Sequence, residues 1–169
     1  MKVLFFFFFL NGCLFAQNQD YELINQIFCD SSRIHMLRAD FEPLKNATAT
    51  LDEEFFKNSW TFIKTANTPD IDIFLNNFSI GNISSVLLEK DDLINKTKLC
   101  DQLQVVDRNM AEGDYTVISA PVFNEAKDWA LMYSFGVWTL DVGSSGVILI
   151  LKKCEKKWFV YHKIEVWIS

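Results

Sequence analysis

The sequence has little of what catalytic and metal sites are usually built from. Its 169 residues include two histidines and four cysteines, and no two cysteines follow a Cys-x-x-Cys spacing or cluster with a histidine. The spacing of structural zinc sites is therefore missing. No phosphate-binding glycine loop, nucleophile elbow or His-Glu-x-x-His helix is present, so these common enzyme signatures are excluded. We expect neither a metal nor a cofactor.

Proline and glycine are also scarce, at three and six residues. The chain has no flexible linker and no internal repeat, and its length suits one domain. Hydrophobic residues make up 50% of the chain and charged residues 22%, a balance typical of a packed globular core. We expect residues 17–169 to fold as a single domain.

The sequence also has no apolar run as long as the roughly 20 residues that a membrane-spanning helix needs. The start of the chain has a shorter run, in which Lys2 precedes a stretch that includes Phe5–Phe9, and small or polar residues follow. That order is typical of a secretory signal peptide. We expect residues 1–16 to be removed by cleavage between Ala16 and Gln17, which leaves an exported protein, periplasmic or extracellular.

The leader also permits a lipid anchor. Its segment Leu10-Asn-Gly-Cys13 resembles a bacterial lipobox, in which Cys13 would carry the lipid. Asn11 is an unusual residue in such a box, and the apolar run before it is short. The sequence therefore favours the soluble exported form, and it predicts contact with a membrane only if Cys13 is lipidated.

Positive charge is in deficit. Lysine and arginine total 16 against 22 aspartate and glutamate, and the formal net charge of −6 becomes −7 once the leader lysine is removed. An acidic exported domain repels phosphate backbones and anionic lipid headgroups. We therefore expect no nucleic acid as a partner, and another protein or a small ligand is favoured.

Three cysteines remain after the leader: Cys29, Cys100 and Cys154. In an oxidising compartment an odd count leaves at least one of them unpaired. We expect a Cys29–Cys100 disulfide, because Cys154 falls in a charged turn. The sequence also permits three reduced thiols.

The last third of the chain predicts the fold. Four apolar-rich runs joined by turn-like segments are typical of an antiparallel β-meander. They are Tyr115–Ala120, Trp129–Phe135, Gly146–Leu151 and Lys157–Ile168. Upstream, a short amphipathic helix is expected over residues 20–29, and a second helix is expected to begin with Thr50 as its capping residue. These patterns predict an α+β domain with short N-terminal helices packed on a mostly antiparallel sheet.

Alternation in the last strand bears on catalysis. One apolar face would be shared by every second residue, namely Trp158, Val160, His162, Ile164, Val166 and Ile168. A buried, hydrogen-bonded role for His162 is therefore favoured over that of a catalytic base. A small hydrolase-like enzyme that uses His35 or His162 stays open as an alternative, although neither histidine has a nucleophile beside it in sequence.

The connection Gly136–Ser145 between two predicted strands carries the one feature of functional interest. It is rich in apolar residues, and exposed apolar loops are often contact surfaces for a ligand or partner. We single out Trp138, Leu140 and Asp141 as a candidate ligand-binding set. The competing interpretation, favoured because loops expose little apolar area, is that this segment folds back over the open end of the core.

Five segments of the last third form a pattern: Ser119-Ala-Pro-Val-Phe123, Trp129-Ala-Leu-Met-Tyr133, Leu149-Ile-Leu-Lys-Lys153, Lys157-Trp158 and Val166-Trp-Ile-Ser169. This order of P-x-F, A-L-x-Y, L-x-K-K, K-W and W-I-S resembles a set of small uncharacterised exported proteins of Bacteroidetes-type bacteria. The resemblance implies export and fold, and it carries no established activity. The sequence departs from this pattern in two places. The loop Gly136–Gly146 has no cysteine, whereas the loop of the pattern is rich in glycine and cysteine, and Glu155-Lys156 stand where the pattern has Asn-Gly. The expectation is an exported, non-catalytic binding domain.

Overall fold

The computed structural model describes seven stretches of the chain, with the backbone alone at positions 35, 61, 138, 143, 144, 167 and 168. The stretches are residues 19–29, 35–44, 51–61, 68–80, 92–107, 114–138 and 143–168. Within them lie three α-helices, a short 3-10 helix and one seven-stranded sheet. None of these helices is long and apolar enough to cross a membrane.

A mixed sheet of seven strands forms the centre of the described part. The strands are β1 (His35–Arg38), β2 (Leu103–Val106), β3 (Tyr115–Ile118), β4 (Val122–Phe123), β5 (Trp129–Trp138), β6 (Gly143–Cys154) and β7 (Lys157–Ile168). Their order across the sheet is β2-β1-β3-β5-β6-β7, and β4 pairs with β5 beyond the end of β3. β1 runs parallel to β2 and β3, and the other neighbours are antiparallel. The predicted α+β class, with its mostly antiparallel sheet and C-terminal meander, is confirmed.

The helices are short, and side-chain caps define where two of them begin. The helices are α1 (residues 19–28), α2 (Glu53–Thr61), α3 (Ile71–Asn77) and the 3-10 helix (Lys96–Lys98). The Asp52 carboxylate accepts the Phe55 N–H over 2.7 Å, so Asp52 caps α2. Thr50, the predicted cap, lies outside the described residues. The Asp70 carboxylate caps α3 in the same way.

The first strand of the meander is shorter than its sequence pattern suggests. β3 ends at Ile118, and the segment of residues 119–121 separates it from β4. The Ser119 N–H donates to the Tyr133 carbonyl over 2.9 Å, and the Ser119 hydroxyl accepts the Tyr133 N–H over 2.9 Å. The serine side chain thus prolongs the pairing just before Pro121, which has no N–H to give.

Each face of the sheet has its own hydrophobic core. One face, here called the α1 face, is covered by buried residues of α1, namely Tyr21, Leu23 and Ile24. The opposite α2–α3 face is covered by buried aromatic residues of those helices, namely Phe56, Trp60 and Phe74. The central strand β6 serves both cores, because Leu151 points to the α1 face and Ile150 to the other. Full burial of such a side chain contributes about 1.5–3 kcal/mol, so packing rather than length stabilises these short helices.

β6 and β7 are joined by a tighter turn than the sequence indicates. The ladder runs to the Cys154–Lys157 pair, so Glu155 and Lys156 alone form the connection. Cys154 therefore lies at the end of a strand, exposed and unpaired, which corrects its predicted place in a loop. Glu155 has a φ of 58°, in the left-handed region that residues with a long side chain disfavour.

Replacement of Glu155 by asparagine is expected to stabilise the fold. Asparagine tolerates the left-handed region better than glutamate does, and it is favoured in two-residue hairpin turns. We expect the free energy of unfolding, measured by urea denaturation, to rise by about 0.5–1 kcal/mol. Glu125→Asn makes the same change in charge at an exposed turn residue with negative φ, and it should have no such effect. Equal gains from both substitutions would contradict a conformational origin.

Candidate functional site

An extra residue in β7 decides which side chains meet on the α2–α3 face. Leu151 of β6 pairs with Val160, but its neighbour Ile150 pairs with His162. Tyr161 is therefore an extra residue on β7, which makes a β-bulge. Bulges bend a strand and re-aim its side chains, so Tyr161 and His162 both contact residues of the same face.

The bulge overturns the predicted single apolar face of the last strand. Trp158 and Val160, before the bulge, pack on the α1 face. Ile164, after the bulge, belongs to the α2–α3 face. A second shift in register leaves Val166 as another extra residue, and it also packs on the α2–α3 face. The apolar residues recur at every second position of the sequence without interruption, but those before and after the bulge lie on opposite faces of the sheet.

Four rings on the α2–α3 face form what we call the aromatic cluster: Trp60, Trp129, Tyr161 and His162. The ring centroids of Trp60 and His162 lie 4.1 Å apart, and Tyr161 meets Trp129 edge-on at 4.8 Å. The ammonium of Lys152 lies 4.9 Å from the centroid of the Trp129 ring and 5.7 Å from that of Tyr161. Each aromatic pair contributes about 0.5–1.5 kcal/mol beyond its buried area. The cluster therefore fastens α2 to the edge of the sheet.

The polar atoms of the cluster bind the segment that enters α3. The Trp60 indole N–H donates to the Pro69 carbonyl over 2.7 Å, and the Tyr161 hydroxyl donates to the Asp70 carbonyl over 3.2 Å. Burial, together with the nearby charge of Asp70, raises the pKa of Tyr161 above its ordinary value. A tyrosine hydroxyl is protonated at neutral pH in any case, and the raised pKa of Tyr161 extends its donation to more alkaline pH.

His162 uses its ring for packing. The side chain is half-buried, and burial lowers the pKa of His162 below its ordinary value of 6.5. The predicted buried state is thus corrected to a half-buried one, and the predicted hydrogen bond stays a prediction. Burial is the cause of this pKa shift, and the ring lies against Trp60.

One charged cluster was not singled out by the sequence patterns. Arg38 is 8% exposed, its Nε donates to the Asp40 carboxylate over 2.7 Å, and its Nη2 donates to Glu42. Burial acts to lower the pKa of Arg38, but the two carboxylates outweigh that effect and raise it. Removal of one partner from a buried ion pair costs about 3–5 kcal/mol. The alternation Arg-x-Asp-x-Glu, with Leu37 and Phe41 in the core, was the available signal.

Cys29 and Cys100 are joined in a disulfide, which is the pair expected from the sequence. Their Cα atoms lie 6.5 Å apart, and 71 residues separate them in the chain. The Asn25 side chain binds the same place, because its Oδ1 accepts the Cys100 N–H over 3.0 Å and its Nδ2 donates to the Lys98 carbonyl over 2.9 Å. The bridge therefore fastens the end of α1 to the segment before β2.

The candidate ligand-binding set falls at the limit of the described residues. Trp138 is the last residue of β5 and pairs with Gly143 of β6, so it belongs to a strand rather than to the predicted loop. The Trp138 side chain, and all of Leu140 and Asp141, lie outside the described residues. The geometry of this set therefore stays a prediction.

Several other predicted positions also lie outside the described residues or have only their backbone described. Cys13, Ala16 and Gln17 of the leader lie outside the described residues. His35 is the first residue of β1, opposite Leu103 of β2, and its backbone alone is described. Across the seven described stretches, no group of three or more His, Cys, Asp or Glu side chains is placed to hold a metal ion.

Comparison of the chain with models of protein families, with curated proteins and with solved structures finds no match in any of the three. The function has therefore to be inferred from the residues and their geometry.

Removal of the disulfide is expected to cost on the order of 4 kcal/mol, because a bridge across 71 residues restricts the unfolded chain. The measurement is the free energy of unfolding of the double variant Cys29→Ser, Cys100→Ser. Cys154→Ser changes the exposed, unpaired cysteine, and as the matched control it should alter stability by no more than about 0.5 kcal/mol. A double variant as stable as the control would argue against the bridge.

His162 is expected to make the fold less stable in mild acid. The unfolded chain has the ordinary histidine pKa of 6.5, and burial lowers the pKa in the fold, so the unfolded state binds the proton first. The contribution is present above pH 6.5 and is lost as the pH falls through the lowered pKa of the folded state.

His162→Phe tests this effect, since it keeps a ring on Trp60 and removes the titration. Urea denaturation at about pH 7.5 and pH 5.5, on either side of the ordinary histidine pKa, should show a smaller loss of stability in the variant than in the wild-type protein. Parallel losses in the two proteins would assign the pH dependence to other groups.

Proposed function

We propose that the protein is an exported, non-catalytic domain that acts by binding a protein partner or a small ligand. The observation that carries this proposal is the Cys29–Cys100 disulfide, which joins α1 to the segment before β2. Disulfides persist in the periplasm and outside cells and are rare in the cytosol. The bridge supports the export that the leader predicts, with residues 1–16 as the cleaved signal peptide.

The surroundings of the bridge support a stabilising role. Both cysteines are half-buried, and Asn25 contacts the Cys29 sulfur at 3.8 Å as well as the Cys100 backbone. Redox-active pairs typically stand in a Cys-x-x-Cys motif with an accessible thiolate. This arrangement supports a cross-link that holds an exported fold over a disulfide-exchange enzyme.

The packing of His162 supports a non-catalytic role. A general base has to lie within hydrogen-bond reach of the proton that it takes. His162 instead lies against Trp60, at 4.1 Å between ring centroids. The alternative of a small hydrolase-like enzyme is left to rely on His35.

Two surfaces are available in this proposal for a partner. One is the predicted set of Trp138, Leu140 and Asp141, which is supported by its apolar composition at the end of the β5–β6 hairpin. The other is the edge of the sheet at β7, where Phe159 and two lysines are exposed. In the alternative, a lipid on Cys13 anchors the exported protein, and the partners would then include a membrane.

The mature N-terminus tests export and anchoring together. The full chain is expressed in a bacterium and recovered from the periplasm. We expect the intact mass of a chain that begins at Gln17, with Cys29 and Cys100 oxidised. Cys13→Ser should be processed in the same way, because the thiol has no part in cleavage after Ala16.

Two outcomes would count against this form of the proposal. A lipid-bearing chain that begins at Cys13, and whose processing Cys13→Ser abolishes, would establish the anchored alternative. A chain that is retained in the cytoplasm with both thiols reduced would contradict the proposed function.

A further inference from the structure

α1 lies close to the beginning of the proposed mature chain, which starts at Gln17, and the helix begins at residue 19. It has ten residues, and helices of this length are marginal unless the rest of a protein holds them in place. A helix near a terminus can leave a sheet without pulling another helix or strand out of place. The contacts that fasten α1 therefore decide whether the α1 face of the sheet is covered.

Three side chains of α1 accept hydrogen bonds from backbone N–H groups outside the helix. The pairs, with the acceptor first, are Tyr21 with Asn95 at 2.7 Å, Asn25 with Cys100 at 3.0 Å and Gln26 with Trp158 at 2.7 Å. Each bond contributes little to stability, because water replaces it when the helix leaves. The three N–H groups nevertheless report directly whether α1 is in place.

The disulfide fastens the end of α1 covalently. It keeps Cys29 next to Cys100 when the rest of the helix opens, so the open state gains little freedom and α1 returns to the sheet. The segment that contains Cys100 is itself bound to strands. The Ile94 N–H donates to the Ala39 carbonyl over 2.7 Å. The Leu103 N–H donates to the Cys100 carbonyl over 3.0 Å. Loss of the bridge is therefore expected to release α1 and to leave this segment on the sheet.

The two cores depend on α1 to different degrees. Among the described residues, α1 contributes buried side chains to the core of the α1 face, while α2 and α3 close the opposite face. Departure of α1 would therefore open one core and leave the other closed. The strand residues that it would uncover are apolar, namely Met132, Leu149, Leu151 and Trp158.

We propose that α1 is a redox-sensitive strap, which closes the α1 face when Cys29 and Cys100 are oxidised and leaves that face when they are reduced. This inference rests on the proposed function, because an exported chain is made with reduced thiols and meets an oxidising compartment after export. In the closing step the two thiols lose two protons and two electrons, and the S–S bond forms. A disulfide-bearing exchange protein accepts them and becomes a dithiol.

A bridge that only stabilised the fold would behave differently. Its reduction would weaken both cores together, and the domain would unfold in a single cooperative step. The strap instead predicts a reduced state in which the α2–α3 face and the meander stay folded while the α1 face is open. Hydrogen exchange at individual N–H groups separates these two responses.

The test compares hydrogen exchange, measured by NMR, in the oxidised and the reduced mature domain. Cys154→Ser is the starting protein, because it removes the exposed unpaired thiol and leaves the bridge as the redox group. Reduction with dithiothreitol at neutral pH should speed exchange at the N–H groups of Asn95, Cys100 and Trp158 at least about a hundredfold. The N–H groups of residues 23–28 should lose protection with them.

Two N–H groups away from α1 serve as internal controls. The Phe78 N–H donates to the Phe74 carbonyl at the end of α3, and the Ser119 N–H donates to the Tyr133 carbonyl. Exchange at both should change less than about threefold on reduction, because the elements that contain them stay folded. Reoxidation should restore the protection of α1.

Two variants in the Cys154→Ser background separate the bridge from the hydrogen bonds. Cys29→Ser with Cys100→Ser should reproduce the exchange pattern of the reduced domain without a reductant. Gln26→Ala keeps the bridge, so it should speed exchange at Trp158 and leave the N–H groups of Asn95 and Cys100 protected. If the double variant does not fold, reduction of the folded domain still decides the question.

Three outcomes would overturn the proposal. The first is equal acceleration at the control groups of Phe78 and Ser119, which would show a single cooperative unit. The second is a reduced domain in which α1 stays protected, and the third is a loss of protection that reoxidation does not reverse. None of them concerns the mature N-terminus or the compartment, so the proposed function is decided by its own experiment.

Discussion

The extra residue at Tyr161 determines what each half of β7 does. Before it, Trp158 and Val160 close the core beneath α1, and after it Ile164 closes the core beneath α2 and α3. A strand without this bulge would keep all of its alternating apolar residues on one face. Both cores, and therefore the positions of helices on both sides of the sheet, depend on this one shift in register.

Contacts with Trp60 stabilise the bulge. It contacts Tyr161 and His162, two consecutive residues that a regular strand would send to opposite faces. A bulge forgoes a ladder hydrogen bond, which contributes about 0.5–1.5 kcal/mol, while each aromatic pair contributes about the same amount. Two such pairs, with Trp129 against Tyr161 as a third, outweigh the lost bond. A neutral His162 suits this place, since a charged imidazole would lose hydration there.

The sequence predicted those features of the fold that neighbouring residues determine, and it missed those that residues far away in the chain determine. β5, β6 and β7 are 10 to 12 residues long, so periodicity placed all three, and the structure extends β5 and β6 while β7 keeps its predicted ends. The same periodicity wrongly put Trp158 and Val160 on the face of His162, because a bulge leaves the pattern of residues intact and is stabilised by Trp60, far away in the chain. β1 and β2 are four residues each and pair in parallel across a long separation, which no local pattern reports. The Arg38 cluster leaves only the alternation Arg-x-Asp-x-Glu in the sequence, and that pattern does not report the burial of Arg38.

α1 links the disulfide to the end of the β6–β7 hairpin. The disulfide holds its end at Cys29, Glu22 pairs with Lys153 at 3.2 Å, and Gln26 between them binds the edge at Trp158. A helix released from the bridge would uncover its core and leave the Trp158 N–H and the Lys156 carbonyl without Gln26. The oxidised chain instead keeps these groups bound to Gln26. A cross-link between α1 and the segment before β2 thereby also holds the helix against the end of the β6–β7 hairpin.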